Sequence, residues 1–516
     1  MRMRRSTEIA FRIRGSMLCG QRMTEKSESI AVSDLMALSG VGFGTSGARG
    51  LADAMTDRVC YLYTVGFLQY LEKAGAIHPG DAVALAGDHR PSTPRILLAA
   101  ARAIGDLGYQ PLHCGNIPSP AVAHYALGER IASMMVTGSH IPDDRNGIKF
   151  NTPYGEVLKS DEAGIRDQIV AVPLSLFDDK GGFIVPAEPL PVDGTAYRRY
   201  VARYLDLFPA QALAGMRVLV YEHSSVAARA LTEIFGGLGA DVVRRGYSEA
   251  FVPVDTEAVR AEDIALAREW AAAERFDLLV STDGDGDRPL VADETGTWLR
   301  GDIAGIFTAH FLDADAVVTP VSSNSALEAS GWFGRTLRTR IGSPYVIEGM
   351  MQAAEEGARR VVGYEANGGF LTMTPLDIDG RTLGALPTRD AVIVALAVPL
   401  LARRNGVPVS QLAQLLPARF TASERLKNFP TELSTRRIAE LAAAPEAIER
   451  QFPDQGPVRR IDLTDGLRVT FANDEIVHLR PSGNAPELRC YCEAESSGRA
   501  QRLNAECLDI LEAWRE

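Results

Sequence analysis

Short apolar runs alternate along the chain with stretches in which apolar side chains recur at helical spacing. The clearest pairs are 82–88 with 92–108, 216–222 with 226–239, and 314–321 with 325–334. In each pair a short polar loop separates the predicted strand from the predicted helix. This order is typical of α/β layers whose strands are mainly parallel. The pattern therefore predicts three related α/β domains.

The C-terminal region has a different pattern. Residues 466–483 and 487–496 alternate between apolar and polar positions, and a helical pattern follows over 498–514. Alternation of this kind is typical of hairpin strands, so we predict a smaller α+β domain there. A chain of 516 residues is too long for one ordinary core. Turn-forming and polar residues mark the predicted boundaries, which give domains at 38–185, 186–300, 301–412 and 413–516 around a central cleft.

The N-terminal residues fit none of these patterns. The first 22 residues carry six arginines and one acid, Glu8, without an apolar segment long enough for a secretory signal. An organellar presequence, a disordered extension and a start site upstream of Met23 are the alternatives. We expect 1–37 to be an extension outside the folded domains. The longest apolar run, Ala391 to Ala402, contains Pro399, and its 12 residues predict a core helix.

Composition and charge narrow the function classes. The chain is 46% hydrophobic and 23% charged, as is typical of a soluble globular protein. Its net charge of −12 argues against partners such as nucleic acid or an anionic membrane, which attract basic proteins. We therefore expect a small-molecule ligand held by a local cluster of polar groups. We also expect a cytoplasmic protein that is a monomer or a homodimer.

The six cysteines are sparse for a chain of this length. Cys490 and Cys492 lie two residues apart, but no second pair has the spacing of zinc ligands. We therefore predict buried, reduced thiols, as in a cytosolic protein.

One segment, 136–150, reads VTGSHIPDDRNGIKF and raises a choice between two interpretations. It contains several turn formers, so Ser139 could cap a helix within a surface turn. Alternatively, Ser139 and the adjacent His140 are a nucleophile and a base, with Lys149 nearby. The segment alone leaves both interpretations open.

A second segment, 276–296, places three carboxylates directly after a predicted strand. Asp283, Asp285 and Asp287 are separated by glycines, and carboxylates this close repel each other unless a divalent cation joins them. An EF-hand and a metal-free loop are the alternatives. The EF-hand requires glycine at its sixth position, where this chain has Arg288, and the flanking segments are predicted strands. Three protein carboxylates leave coordination positions open, as a catalytic Mg²⁺ site requires.

Three weaker segments carry polar side chains in turn sequences. Arg480, followed by the turn Ser482, Gly483 and Asn484, is either an anion site or a hairpin turn with a surface arginine. Glu365 and Asn367, in the segment GYEANGGF, suit the hydroxyls of a sugar but also fit an ordinary turn. The segment FGTSGARG at 43–50 adds Arg49.

Taken together and in this order, the five segments resemble the α-D-phosphohexomutase family, from about Gly42 to the C-terminus. The family includes phosphoglucomutases, phosphomannomutases and phosphoglucosamine mutases. The resemblance implies three α/β domains and a smaller fourth domain around a cleft. It also implies interconversion of hexose 6-phosphate and hexose 1-phosphate through a phosphoserine and a bound 1,6-bisphosphate. Mg²⁺ would be the cofactor and a hexose 1,6-bisphosphate the activator.

The resemblance also implies roles for the individual residues. Ser139 would carry the phosphoryl group, and one of its phosphoryl oxygens would bind the metal together with Asp283, Asp285 and Asp287. Phosphoryl transfer would take place among Arg49, His140, Lys149 and Arg288. Lys149 is the first candidate for acid–base work and His140 the second, while a surface lysine is the alternative. Sugar and distal phosphate would contact Glu365, Asn367, Arg480, Ser482, Gly483 and Asn484.

Departures from the family pattern leave the sugar open. The sugar loop commonly reads Glu-x-Ser-Gly-His. In this chain Asn367 replaces the serine and Gly369 replaces the histidine, and we interpret the change at 369 as opening space. Ile141 replaces an asparagine, and Asn484-Ala485 replaces Thr-Glu. We expect mannose or glucose phosphates, with N-acetylglucosamine or glucosamine phosphate as the alternative. A sugar-phosphate sensor would be expected to lose Ser139 or a carboxylate, and a phosphatase would hydrolyse the phosphoserine quickly.

Overall fold

The computed structural model describes residues 27–44, 47–482 and 486–515 of the chain. The predicted phosphate-site residues Gly483 and Asn484 therefore lie outside the described residues. The described part contains three α/β domains and a C-terminal α+β domain, each with its own principal sheet. This arrangement agrees with the fold class predicted from the sequence.

Domain I contains a sheet in the order β2-β3-β7-β6-β4-β5, with β8 beside β7. Strands β4 and β6 are apolar on both faces because helices cover both sides of the sheet, as in parallel layers generally. A short two-stranded sheet of β1 and β9 completes the domain. The elements are β1 (Ser27–Ala31), α1 (Val32–Ser39), β2 (Gly42–Phe43), β3 (Ala48–Leu51), α2 (Asp57–Lys73), β4 (Ala82–Gly87), α3 (Thr93–Asp106), β5 (Gln110–Asn116), α4 (Ser119–Glu129), β6 (Ala132–Val136), β7 (Arg145–Thr152), β8 (Gly155–Glu156), α5 (Lys159–Arg166) and β9 (Ile169–Pro173).

The start of the fold corrects one prediction. Residues 1–37 were expected to lie outside the domains, but β1 pairs antiparallel with β9 and α1 follows it directly. Val32 and Leu35 are buried on one side of α1 and pack into the core of domain I. The prediction of an extension is therefore wrong for 27–37, because this short amphipathic helix has a core to cover.

Domain II has the sheet order β11-β10-β12-β13, in which β13 is antiparallel to the other strands. The predicted strand at 216–222 corresponds to β10, and the predicted helix at 226–239 to α7. The elements are α6 (Thr195–Leu205), β10 (Arg217–His223), α7 (Ala228–Gly237), β11 (Asp241–Tyr247), α8 (Ala261–Ala273), β12 (Leu278–Thr282) and β13 (Pro289–Ala292).

Domain III repeats this arrangement as β15-β14-β16-β17. The helix predicted over 325–334 is only one turn long, since Gly331 adopts a left-handed φ of 65° and the chain leaves the helix. The elements are α9 (Gly301–Phe311), β14 (Ala316–Pro320), α10 (Ala326–Ala329), β15 (Arg335–Thr339), α11 (Ser343–Glu355), β16 (Val361–Tyr364), β17 (Phe370–Thr372), β18 (Leu376–Ile378), β19 (Arg381–Leu383) and α12 (Ala391–Asn405).

The three α/β domains share one topology that explains where the polar loops lie. In each, three parallel strands are followed by an antiparallel strand, in the orders β5-β4-β6-β7, β11-β10-β12-β13 and β15-β14-β16-β17. The loops that leave β6, β12 and β16 are therefore equivalent. They carry Ser139, the three carboxylates and Glu365, respectively.

Domain IV is an antiparallel sheet in the order β20-β24-β23-β22-β21, as the alternating pattern predicted. Its helices pack on one face of the sheet around a separate core. The elements are β20 (Phe420–Lys427), α13 (Thr431–Ala442), α14 (Pro445–Gln451), β21 (Val458–Asp462), β22 (Leu467–Phe471), β23 (Ile476–Pro481), β24 (Glu487–Ala494) and α15 (Ser497–Glu512). Short 3-10 helices lie at Leu174–Leu176, Val409–Leu415, Pro453–Gln455 and Ala513–Arg515.

Five cysteines lie in the described residues, and all are buried free thiols. Cys507 on α15 joins Cys490 and Cys492 on β24. The Sγ–Sγ distance is 3.6 Å between Cys490 and Cys492 and 3.7 Å between Cys492 and Cys507. The sequence spacing could not show this third thiol, because it approaches from another element.

The apolar segment 391–402 forms most of α12, whose side chains are buried between domains II and III. Within the described residues, no single helix is long and apolar enough to cross a membrane, although the bent pair Ala391–Asn405 and Val409–Leu415 passes that test together.

Candidate active site

Contacts between domains bring the equivalent loops together. The backbone N–H of Ser119 in domain I donates to the carbonyl of Asp285 in domain II at 2.8 Å. The Thr256 hydroxyl of domain II donates to the carbonyl of Asn367 in domain III at 2.7 Å. Chemical groups from domains I, II and III therefore meet where the three domains contact one another.

Ser139 is buried at the contact between domains I and II in a constrained backbone conformation. Its φ of 57° is left-handed, which is uncommon for a residue other than glycine and often marks a functional site. Its backbone N–H donates to Thr137 Oγ1 at 2.7 Å. Its hydroxyl donates to Asp283 Oδ2 at 2.5 Å and lies 3.3 Å from His140 Nδ1. Ser139 is therefore part of an interdomain polar site, and the surface-turn interpretation is wrong.

Arg90 holds the Ser139 loop in place, although the sequence analysis did not identify it. Its guanidinium donates to the carbonyls of Ser139 and Ile141 at 2.7 Å and lies 3.0 Å from Asp88. Both charged side chains are fully buried. Asp88 also accepts a hydrogen bond from Thr137 at 2.8 Å, so one ion pair fixes both ends of the turn.

Removing this cation should destabilise the fold. Arg90→Met leaves the carboxylate of Asp88 buried without its partner, so we expect the free energy of unfolding to fall by about 3–5 kcal/mol. Urea unfolding measures the change. Arg436→Met is the control, because the Arg436–Glu440 pair is exposed and should contribute less than about 1 kcal/mol. Equal effects of the two variants would contradict the role given to Arg90.

The carboxylate loop connects β12 to β13 and has the donors that a hard divalent cation needs. Oxygen atoms of Asp283, Asp285 and Asp287 lie within 4.8 Å of one another, and all three residues are buried. Asp285 Oδ1 and Asp287 Oδ1 have no hydrogen-bond partner. Unpaired buried carboxylate oxygens are unfavourable unless a cation joins them, so these residues fit a metal ion. Because the loop joins two antiparallel strands, the EF-hand alternative is excluded.

The surroundings shift the pKa values of Asp283 and Asp287 in opposite directions. Burial, followed by the charges of Asp285 and Asp287, raises the pKa of Asp283 well above its usual range. Burial also opposes ionisation of Asp287, but Lys149 and Arg389 outweigh it and lower the pKa of that carboxyl. The surroundings therefore favour the charged form of Asp287 and disfavour that of Asp283.

Lys149 contacts the carboxylates directly. Its ammonium donates to Asp285 Oδ2 at 2.6 Å and also to Asp287 Oδ2. Burial alone would lower the pKa of Lys149, but the charges of Asp285 and Asp287 outweigh it, so the pKa is raised. Lys149 is therefore a buried ammonium, and the surface-lysine alternative is excluded.

His140 is held neutral by its surroundings. Arg288 donates to His140 Nδ1 at 2.8 Å, and since a guanidinium can only donate, Nδ1 carries no proton. Burial and the charges of Arg288 and Arg49 lower the pKa of His140 to about 2. Burial and Arg288 also lower the pKa of Arg49 to about 10. His140 is therefore uncharged near neutral pH.

The cluster combines cations with carboxyl groups. Four cations, Arg49, Lys149, Arg288 and Arg389, interact electrostatically with Asp283, Asp285, Asp287 and Glu365. A divalent cation that binds together with a phosphate dianion adds no net charge to the cluster. The site is thus suited electrostatically to hold both groups.

The predicted sugar loop packs against the same cluster. Glu365 and Asn367 are buried, and Asn367 Oδ1 accepts from the backbone N–H of Gly369 at 2.9 Å. Arg389 Nε donates to Glu365 Oε2, and Arg389 NH1 lies 3.8 Å from Asp287 Oδ2. The loop is therefore joined electrostatically to the carboxylate loop.

The predicted phosphate site follows β23 in domain IV. Arg480 Nε donates to Asp465 Oδ2 at 2.9 Å, and the same oxygen accepts from the backbone N–H of Ile341 in domain III at 2.9 Å. Ser482 is buried, and its backbone N–H donates to the carbonyl of Glu487 at 2.8 Å. Arg480 thus lies at the interface between domains III and IV, where an anion would compete with Asp465.

Three residues of the site, Arg90, Asp88 and Arg389, were not predicted from the sequence. A signal for the first two existed, since Asp88 and Arg90 directly follow strand β4 at the same end of the sheet as Ser139. Arg389 had no such signal, because it precedes helix α12 and reaches the cleft only in the folded chain.

Comparison with known families matches all four domains. Residues 40–173, 195–296 and 301–420 match the α/β/α domains I, II and III of phosphoglucomutase/phosphomannomutase, and residues 431–510 match its C-terminal domain. The boundaries predicted near 185, 300 and 412 remain predictions.

Relatives cover nearly the whole chain. A phosphomannomutase of Salmonella muenchen is 43% identical over 90% of this chain and 94% of its own length. A phosphomannomutase of Sinorhizobium fredii is 42% identical over 92% and 99%. A phosphoglucosamine mutase of Paracoccus denitrificans is 29% identical over 88% and 94%.

Solved structures show the same fold. A phosphoglucomutase/phosphomannomutase family protein of Burkholderia thailandensis has a TM-score of 0.69 at 19% identity, covering 91% of this chain and 97% of that one. An N-acetylphosphoglucosamine mutase of Aspergillus fumigatus, solved with its sugar 6-phosphate and magnesium, has a TM-score of 0.57 at 13% identity, covering 94% and 99%. The matches to all four domains and the identity of the relatives show that this chain belongs to the phosphoglucomutase/phosphomannomutase family of hexose-phosphate mutases.

Proposed function

We propose that this protein interconverts mannose 6-phosphate and mannose 1-phosphate through a phosphorylated Ser139, and that it also accepts glucose phosphates. The observation that carries the proposal is the hydroxyl of Ser139, which donates to Asp283 at 2.5 Å inside a cluster of carboxylates and cations. The identity of the phosphomannomutase relatives supports mannose as the first sugar.

The proposed reaction transfers one phosphoryl group twice. The P–O bond of phosphorylated Ser139 breaks while a free hydroxyl of the bound hexose monophosphate forms a new P–O bond and releases its proton. The resulting hexose 1,6-bisphosphate turns around in the cleft. Its other phosphoryl group then returns to Ser139, so no phosphate is consumed. A hexose 1,6-bisphosphate added from solution would phosphorylate free Ser139, which makes it the proposed activator.

The charges in the site address the main obstacle to this reaction. Two phosphate dianions about 6 Å apart repel by roughly 11 kcal/mol at an effective dielectric constant of about 20. Arg49, Lys149, Arg288 and Arg389 offset that repulsion by their positions around the carboxylates. Mg²⁺ held by Asp283, Asp285 and Asp287 would withdraw charge from the transferring phosphoryl group when bound.

Proton transfer is assigned first to Lys149 and second to His140. The transferred proton leaves the sugar hydroxyl, and a positioned base accelerates such a step by about 10²–10⁴-fold. The Lys149 ammonium donates hydrogen bonds to Asp285 and Asp287, and the His140 ring contacts the Ser139 hydroxyl. Both residues are therefore within the reaction site. The low pKa of His140, about 2, makes its ring a poor base. Lys149 holds a proton because its pKa is raised, so we propose that it gives that proton to the departing Ser139 oxygen and takes the sugar proton in exchange.

The sugar would bind between domains III and IV. Glu365 and Asn367 are proposed to contact its hydroxyls, and Arg480 with the segment 482–484 its distal phosphate. Arg480 would exchange Asp465 for the phosphate, since both are anions and a guanidinium binds either in two-pronged fashion. This exchange would also release the contact of Asp465 with Ile341.

The choice among sugars depends on carbon 2, where mannose and glucose differ only in configuration. Strong discrimination requires a buried polar group that the wrong substrate leaves unpaired. The family resemblance implies that Glu365 and Asn367 contact hydroxyls on the face bearing O3 and O4, so we expect turnover of both mannose and glucose phosphates. The glucosamine and N-acetylglucosamine phosphates are the alternative substrates, although phosphoglucosamine mutases are more distant relatives at 29% identity and below.

Phosphorus NMR of the purified protein with Mg²⁺ and glucose 1,6-bisphosphate tests the sugar assignment. We expect the 6-phosphate and 1-phosphate signals of mannose and of glucose to interconvert, with mannose faster. Turnover confined to N-acetylglucosamine or glucosamine phosphate would contradict the proposal. Phosphate release without isomerisation would instead indicate a phosphatase, and binding without either change would indicate a sensor.

A further inference from the structure

Gly369 in the sugar loop is required by space. Its φ is not in the left-handed range, so the backbone would accept any residue. A Cβ atom added there would lie 2.5 Å from Cδ and 2.8 Å from Cγ of Arg389, which is far closer than carbon atoms approach. The expectation that Gly369 opens space in the sugar site is therefore wrong, because Arg389 occupies that space.

Arg389 connects the sugar loop with the carboxylate loop. It is 2% exposed, its Nε donates to Glu365 Oε2, and its NH1 lies 3.8 Å from Asp287 Oδ2. A buried guanidinium placed between two carboxylates offsets their repulsion and restricts their positions. Glu365 is thus held at a defined place relative to the carboxylate loop by one side chain.

The residues before and after Arg389 in the chain make contacts that fix the backbone at this position. The Thr388 hydroxyl donates to Glu156 Oε1 of domain I at 2.5 Å. Asp390 accepts from the Tyr200 hydroxyl at 2.7 Å and caps helix α12 through the N–H of Val392 at 3.1 Å. The segment 388–390 therefore contacts domain I and helix α6, and the backbone around Arg389 has little freedom.

We propose that Arg389 is a positioning residue of the mutase reaction, and that Gly369 is present in this chain to admit it. Arg389 acts through Glu365 and Asp287: it places the sugar-binding carboxylate relative to the metal loop, so that a bound hydroxyl lies in line with Ser139. The inference rests on the proposed function, in which Glu365 binds sugar. It also explains the departure at 369, where many family members have histidine: the side chain at that place comes from position 389.

Single substitutions at 389 test the positioning role. Arg389→Ala should lower kcat/KM by about 10²-fold, the effect of misplacing a substrate by about 1 Å, with kcat falling as well as KM rising. Arg389→Lys keeps the charge but loses the planar fork, so we expect an intermediate loss of about 10-fold. Arg359→Ala is the matched control, since it removes an exposed arginine from the same domain. Wild-type parameters in Arg389→Ala would overturn the proposal.

Substitutions at position 369 test whether Gly369 is needed to make room for Arg389. Gly369→Ala should displace Arg389 and lower kcat/KM by about 10-fold, and Gly369→His should lower it further, because the added atoms overlap the arginine. The double variant Arg389→Ala with Gly369→His removes that overlap and returns a side chain to the space. We expect it to exceed the product of the two single effects by at least about 10-fold in kcat/KM.

Unfolding measurements separate this inference from the proposed function. A urea-unfolding cycle over the same four proteins reports the packing of Arg389 against position 369 without any turnover, and we expect it to be non-additive. Additive effects in both cycles, or an unchanged Gly369→Ala protein, would overturn the pairing. Absence of turnover in the wild-type protein with every sugar phosphate would contradict the proposed function alone.

Discussion

Ser139→Ala is expected to abolish mutase turnover while leaving the fold intact. The hydroxyl it removes is the proposed carrier of the phosphoryl group, and loss of a covalent carrier lowers turnover by at least about 10³-fold. The remaining contacts of the loop run through Thr137 and Arg90 to backbone atoms, so they do not depend on the hydroxyl. Turnover is measured with mannose 1-phosphate, Mg²⁺ and glucose 1,6-bisphosphate.

Mass spectrometry gives an independent measure of the same assignment. Wild-type protein treated with the bisphosphate should gain about 80 Da on the peptide that contains Ser139, as phosphorylation adds HPO₃. The Ser139→Ala protein should show no such gain. Ser160→Ala, an exposed serine at the start of α5, is the control and should behave as wild type. Full turnover of Ser139→Ala would disprove the phosphoserine assignment.

Removal of the metal is expected to have the second largest effect. Asp285→Asn withdraws one charge from the three-carboxylate loop and leaves Lys149 with one fewer anionic partner. Metal affinity and phosphoryl transfer both depend on that charge, so we expect turnover to fall by at least about 10²-fold. Treatment with EDTA should stop the wild-type enzyme, and added Mg²⁺ should restore it.

An exposed acid in the same domain provides the control for the metal prediction. Glu269→Gln neutralises an exposed acid on α8 in the same domain and should not change the Mg²⁺ dependence. Isothermal titration with Mg²⁺ should show weakened binding in Asp285→Asn and unchanged binding in Glu269→Gln. An undiminished rate after EDTA treatment would show that the carboxylates serve the fold instead of a metal.

The repeated topology accounts for the composition of the site. Loops that leave the third parallel strand of each α/β domain carry Ser139, the carboxylates and Glu365, so one architectural position supplies three chemical roles. The strand after each loop pairs antiparallel with the strand before it, so the sheet fixes both ends of the loop. Arg90, which holds the Ser139 loop, and Arg389, which links the other two loops, come from elsewhere in the chain and are only 1% and 2% exposed.

Much of this architecture could be predicted from local patterns. Strands β4, β10 and β14 and the C-terminal hairpins follow from runs and alternation of apolar residues, because each pattern repeats over one element. The spacing of Asp283, Asp285 and Asp287 places three carboxylates in one short loop whatever surrounds it. The family motifs added the order of the loops and the expected chemistry of Ser139.

Only the tertiary structure decided which of these groups meet. Ser139 and Asp283 are separated by 144 positions yet share a hydrogen bond, and no periodicity links residues so far apart. The folded segment 27–37 likewise depended on the core of domain I against which it packs. Gly369 shows the difference most clearly: in the sequence it suggested open space, whereas in the fold Arg389 fills that space. The sequence shows that position 369 has no side chain, but whether the space beside it is empty depends on the residues that pack there in the folded chain.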